Sequence, residues 1–263
     1  MSVVEAIILG IIQGLTEFLP VSSSGHLELA QAIFGNQNNA RGNLLFTIVV
    51  HGATALATLV VFRADVWSIV RGLFQFTNNE STQFSARIVL SMIPAVLVGY
   101  FFEDTISSQF FGNTLLVGLM LWVTAGLLYI ADKPTQNRAN VSPTSALWIG
   151  ISQAFAIIPG ISRSGATIAI SLLLGVARDR AARFSFLMVV PLIFGSMAKK
   201  ILDGGLEQEV LNLTPILAGF VAAFFSGYLA CQWMIALVKR SQLRYFAYYC
   251  ALIGTISLVN SLV

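Results

Sequence analysis

The chain has 263 residues, 56% of them hydrophobic and 10% charged, with a mean hydropathy of +0.80. A soluble domain carries about 25% charged residues, so this chain cannot cover a water-facing surface, and a soluble enzyme or a disordered tail is excluded. The net charge of +3 does not make it a nucleic-acid binder, because the basic residues stand in short clusters between apolar runs rather than on one face. The composition is that of an integral membrane protein.

In chain order, the first apolar region is residues 3–33, broken at Pro20 and the run Ser22-Ser23-Ser24-Gly25-His26. Three apolar segments follow at 44–62, 86–102 and 114–131, each at or near the ~20 residues a span requires. A second broken region, 144–177, is interrupted at Pro159-Gly160 and at Ser162-Arg163-Ser164-Gly165. Segments 184–201, 214–238 and 245–263 complete the set. The halves of each broken region are too short to span, which predicts two re-entrant helical hairpins beside six transmembrane helices, all-α, in one membrane domain. Cys231 and Cys250 lie inside apolar runs and read as buried small hydrophobes. The first Lys or Arg is Arg41, so no basic leader region is visible.

Charge distribution favours that topology. With both regions re-entrant, eleven basic residues share one side: Arg63, Arg71, Arg87, Lys133, Arg138, Arg178, Arg180, Arg183, Lys239, Arg240 and Arg244. Arg41, Lys199 and Lys200 fall on the other, with Glu103 and Asp104. If 144–177 crossed instead, the bias would vanish. A Lys/Arg excess marks the cytoplasmic side, so both termini and the first hairpin are expected outside. The basic loops 177–183 and 239–244 suit anionic lipid headgroups.

A 140-residue offset superposes Gly10, Ile11, Gln13, Ser22, Ser24 and Gly25 on Gly150, Ile151, Gln153, Ser162, Ser164 and Gly165. This predicts two copies, 1–131 and 144–263. An odd number of spans in each makes the second copy inverted.

The breaks concentrate the polar residues. Ser is a favoured helix cap, and a helix start binds anions through its free N–H groups. Arg163 adds a planar fork suited to phosphate. Plain capping would explain either serine run alone. A carboxylate at the depth of Glu17 costs ~3 kcal/mol or more and is functional by default, though it could also serve only to pair with Arg163. Gln13 lies one helical turn before Glu17, and His26 three residues after Ser23. An acid, an alcohol and an imidazole therefore converge on one hairpin, the inventory of nucleophilic catalysis. His51 reads more readily as a satisfied packing residue than as a site group. Glu28 is expected near the outer mouth, and Thr167 either donates to a phosphate or bonds back to its own helix.

The stretches QGLTEFLPVSSSGH (13–26) and PGISRSGAT (159–167) resemble the two signature motifs of the undecaprenyl-diphosphate phosphatases of the bacitracin-resistance type. The resemblance extends over essentially the whole chain, FSFLMVVP at 184–191 included. It implies a bacterial inner-membrane hydrolase that converts undecaprenyl diphosphate to the monophosphate carrier of peptidoglycan synthesis. It further implies Ser23 as nucleophile, Glu17 as base and His26 as catalytic partner. Arg163 would clamp the phosphates, with Gln13, Ser22, Ser24, Gly25, Ser162, Ser164 and Thr167 around the substrate. A divalent cation, magnesium or calcium, with Glu17 as its carboxylate, is expected on the same ground. Many members carry Glu where this chain has Gln13, which weakens a ligand role there. Partners expected are the lipid substrate and membrane lipids, with the oligomeric state open. The competing reading is a transporter flipping undecaprenyl phosphate through the same pocket; a purely structural subunit would not retain Glu17 and Arg163 at depth.

Overall fold

The computed structural model describes residues 1–34, 40–110, 112–132, 138–202, 213–240 and 242–262. Lys133 lies outside these, as do the side chains of Arg41, Glu103, Asp104 and Lys200. Eleven helices make up the described chain: α1 (Val3–Phe18), α2 (Ser23–Ile33), α3 (Ala40–Val61), α4 (Arg63–Leu73), α5 (Glu80–Gln109), α6 (Thr114–Ala131), α7 (Pro143–Phe155), α8 (Arg163–Leu173), α9 (Arg178–Leu202), α10 (Leu213–Lys239) and α11 (Leu243–Leu262). No named strand occurs among the described residues, and the protein is an all-α, multi-pass membrane protein. Among the described residues, four helical segments are each long and apolar enough to cross a bilayer: Glu80–Phe102, Thr114–Ala131, Arg178–Lys199 and Leu213–Lys239. Leu45–Val61 together with Arg63–Leu73 makes a fifth candidate, bent by 80°. Hydropathy alone does not signal that bend. α4 carries Arg63, Asp65 and Arg71 and exposes Trp67, so it is amphipathic rather than a continuation of the apolar helix.

Local signals explain the boundaries. Ser2 and Glu5 form a reciprocal capping box at the start of α1. The two broken regions restart with one device: Ser22 Oγ accepts from Gly25 N at 3.3 Å, and Ser162 Oγ from Gly165 N at 3.0 Å. Pro94 and Pro191 sit inside α5 and α9, as membrane helices with packed neighbours tolerate.

Helices α1, α2, α7 and α8 are too short to cross a bilayer at 1.5 Å per residue. Each short pair folds on itself, α1 touching α2 and α7 touching α8. Ala139, before α7, pairs its backbone with Val176, after α8, through Ala139 N to Gly175 O and Ala177 N to Ala139 O. α1 packs along α10, and α7 along α5. The contacts are close because glycine provides them: a Cβ on Gly10 would collide with the Gly219 carbonyl, and one on Gly150 with that of Ser91. α6 lies along α11, and α3 touches α9.

Contacts at one end of the bundle link the basic segments. Asp65 pairs with Arg183 at 2.7 Å, Arg180 donates to the Arg138 carbonyl at 3.1 Å, and Asp132 accepts from the backbone N–H groups of Leu243 and Arg244. Arg183 also lies over the Phe84 ring.

Candidate active site

The site forms where the two breaks meet. Gly25 at the start of α2 faces Gly160 in the second break, where a Cβ would come within 3.2 Å of the Gly160 Cα. Gly165 at the start of α8 faces Pro20 at the same separation. Ser164 Oγ donates to the Leu19 carbonyl at 3.3 Å, tying one turn to the other. Gly160 has φ of +95°, a conformation glycine adopts freely. The turn is held from α6, where Thr124 Oγ1 donates to the Gly160 carbonyl and accepts from Ser162 N, both at 3.0 Å.

Glu17 stands at the centre, in the last turn of α1 and only 7% exposed. Its Oε2 accepts from Ser23 Oγ at 2.8 Å and from Gln13 Nε2 at 3.0 Å. Its Oε1 accepts from Arg163 Nη2. Arg163, the first residue of α8, also reaches the Ser185 carbonyl on α9 through Nη1 at 3.4 Å. A guanidinium has more N–H donors than these two contacts use. Glu17 and Arg163, 146 positions apart in sequence, thus form a buried ion pair between the two breaks.

The remaining residues named from sequence fall into four groups. Ser22, Ser162 and Ser164 are buried around the two turns, with Ser22 Oγ 3.4 Å from Ser24 Oγ and Ser162 Oγ 3.3 Å from Ser164 Oγ. Thr167 is fully buried behind Arg163: its hydroxyl donates to the Arg163 carbonyl at 2.8 Å and lies 2.6 Å from Ser185 Oγ. His26 directs Nδ1 to the Ser22 carbonyl and Nε2 to Tyr249. Glu28 accepts from Gly112 N at 3.0 Å, joining α2 to the turn before α6.

One site residue ranks low in the sequence and three others are unmarked there. His51 was expected to be a packing residue, yet its Nε2 stands 3.8 Å from Glu17 Oε2. Its Nδ1 donates to the Thr47 carbonyl at 2.8 Å, so in the neutral ring the Nε2 lone pair faces the carboxylate. A histidine in an otherwise apolar segment was the available signal. Ser185, Thr124 and Tyr249 carried no comparable mark.

The donor set tests the expected cation. No group of three His, Cys, Asp or Glu gathers among the described residues, and Glu17 is already bonded to Arg163. Gln13 Oε1, however, is buried without a partner among the described residues, beside Glu17. One carboxylate and one amide oxygen suit a cation shared with substrate phosphates, the usual habit of magnesium, and do not suit a cage made of protein alone.

Fold and site together define a polytopic helical membrane protein with an acid–alcohol–guanidinium centre buried between two broken helix pairs. The chain belongs to the family described as bacitracin resistance protein BacA, whose model matches residues 6–256. Curated relatives span its whole length. The undecaprenyl-diphosphatase of Christiangramia forsetii is 55% identical over 259 residues, 98% of either chain. That of Bacteroides fragilis is 48% identical over 262 residues, covering 98% of this chain and 97% of its own. That of Methanobrevibacter smithii is 36% identical over 278 residues, covering 100% and 99%.

Proposed function

We propose that this protein hydrolyses undecaprenyl diphosphate to undecaprenyl phosphate and inorganic phosphate. In a bacterial inner membrane this would recycle the lipid carrier of peptidoglycan and confer bacitracin resistance. One observation carries the reading: the Ser23 hydroxyl donates directly to a carboxylate that is itself ion-paired with Arg163. That contact chain supports Ser23 as nucleophile, Glu17 as base and Arg163 as phosphate clamp. The names of the relatives support the substrate.

The proposed architecture is two half-inserted hairpins and six spans in two inverted copies, 1–131 and 144–263. The pairing of Ala139 with Val176 supports it, since both ends of region 144–177 then emerge at one membrane face. The contacts among the basic segments support a common cytoplasmic end. The matched packing of α1 on α10 and α7 on α5 supports the repeat. The termini and the mouth of the site then face outward.

In the reaction, the prenyl chain stays in lipid and the diphosphate enters between the hairpins. Arg163 and the N-termini of α2 and α8 neutralise the phosphoryl oxygens, the largest expected contribution to rate. Glu17 takes the proton of Ser23, and Oγ attacks the terminal phosphorus in line. The bond to the bridging oxygen breaks, and undecaprenyl phosphate departs. His51 Nε2 stands beside that carboxylate, 3.8 Å from Oε2. Water then releases the phosphate from Ser23. Glu17 and Gln13 Oε1 are the residues that would hold a magnesium or calcium ion, whose chemistry is to lower the charge on the phosphates.

Phosphate release in detergent, where no sides exist, tests this against lipid flipping without hydrolysis. Wild-type protein should release phosphate from undecaprenyl diphosphate, and Glu17→Ala and Arg163→Ala should not. A silent wild type would reject the phosphatase. Phosphate trapped on Ser23 supports the covalent route, and a Ser23→Ala protein with full turnover rejects it.

A further inference from the structure

The imidazole of His26 is held by a residue outside both hairpins. His26 Nδ1 lies 2.8 Å from the Ser22 carbonyl. Its Nε2 lies 2.9 Å from the hydroxyl of Tyr249 on α11, 223 positions away. The two rings are nearly parallel, 10° apart, with centroids at 5.6 Å. A carbonyl only accepts, so Nδ1 carries the ring proton, and in the neutral ring Nε2 presents a lone pair. Tyr249 is then the donor. Two features lock the arrangement. Ser22 adopts φ of +72°, uncommon for a residue with a side chain, at the peptide that receives Nδ1–H. The neighbouring Cys250 sets its thiol 3.6 Å from the Pro20 carbonyl, so α11 is seated on the same turn of the first hairpin.

We propose that Tyr249 is a further catalytic residue for the dephosphorylation: its hydroxyl donates to Nε2 of the Nδ1–H tautomer of His26 and relays a proton to it. The inference rests on the phosphatase reading of this site. It assigns His26 to the second half-reaction rather than to protonation of the leaving lipid. Water gives one proton to the Tyr249 oxygen, which passes its own to Nε2, while the water oxygen bonds to the phosphorus on Ser23. The P–Oγ bond breaks, and Oγ recovers the proton held by Glu17. Inorganic phosphate leaves, and His26 returns its proton to solvent.

The test compares full-length wild type, Tyr249→Phe, His26→Gln and the double variant in detergent. Phenylalanine keeps the stacked ring and removes only the hydroxyl. One hydrogen bond of this kind is worth about 3- to 10-fold, so kcat of Tyr249→Phe should fall by about that factor, with KM within about twofold. On the His26→Gln background the same change should have no further effect. The chain holds two histidines, so 15N ring signals can be assigned with His51→Gln. Wild-type His26 should show a protonated Nδ1 and a hydrogen-bonded, unprotonated Nε2, and Tyr249→Phe should shift the latter. A wild-type kcat in Tyr249→Phe, an equal loss on both backgrounds, or unmoved ring signals would overturn the proposal. If wild type released no phosphate, the functional reading would fall and the assignment of His26 with it, while the ring signals would still report the contact.

Discussion

Replacing Glu17 and Arg163 singly and together separates what holds the two breaks from what performs the reaction. Their side chains are 7% and 16% exposed, so neither charge is well hydrated without the other. Breaking such a pair from one side costs about 3–5 kcal/mol, because the remaining charge stays buried. Glu17→Gln leaves Arg163 with the Ser185 carbonyl but no counter-charge. Arg163→Gln leaves Glu17 with Gln13 and Ser23. The double variant buries two neutral amides instead. Its loss should fall short of the summed single losses by about 0.5–3 kcal/mol, the scale of coupling between groups in direct contact. Unfolding by sodium dodecyl sulfate titration of the purified proteins measures this. Phosphate release should behave oppositely: all three variants should lose at least ~100-fold in kcat, since a neutral pair repairs packing and restores neither the base nor the clamp. Additive stability losses would show that no ion pair bridges the breaks. A double variant recovering turnover would refute the catalytic assignment.

Gly10→Ala and Gly150→Ala should each destabilise by about 1–3 kcal/mol through overpacking, while Gly126→Ala, where a new Cβ meets nothing within 4 Å, should stay within about 1 kcal/mol of wild type; equal effects at all three positions would refute the tight crossings. Gln153→Met should raise stability by about 1–3 kcal/mol, because both polar atoms of this buried amide lack a partner among the described residues, and a loss measured in the same titration would reveal a missed partner. A single cysteine at exposed Gln75 should react with an impermeant maleimide only from the cytoplasmic face, and one at exposed Asn113 only from outside. Native Cys231 and Cys250 are buried and should contribute little background; labelling of both new sites from one face would overturn the topology.

Much of this was legible because membrane burial makes polar residues conspicuous. Glu17 and Arg163 stood out for having no local reason to be in apolar sequence, and the structure joins them. The helix breaks were marked by Pro20 and Pro159 and by the serine caps, and α2 and α8 begin at those caps. What stayed hidden depends on approach between distant segments. Tyr249 looks like any aromatic on a lipid-facing helix, and only the seating of α11 against α2 brings it to His26. Thr124 and Ser185 resemble hydroxyls bonded to their own helices. His51 reads as a packing residue, because sequence spacing does not show that α3 passes beside the end of α1. The bend into α4 was missed for a related reason: hydropathy reports where an apolar run stops, not the direction the chain then takes.

The 140-residue offset also explains why one centre forms instead of two. On that alignment Ser23 falls on Arg163, Glu17 on Ile157 and His26 on Ala166. Ser23 and Arg163 are each the first residue of the helix that restarts after a break, so the same backbone position supplies the alcohol from one side and the guanidinium from the other. Gln13 finds its partner four residues on, at Glu17. Gln153 meets Ile157 at that spacing, and its amide has no partner among the described residues. Two carboxylates here would repel each other, and two guanidinium groups likewise. Dividing the charges between the two breaks leaves a neutral pair that can be buried, with the first residue of each restarted helix bonded to Glu17.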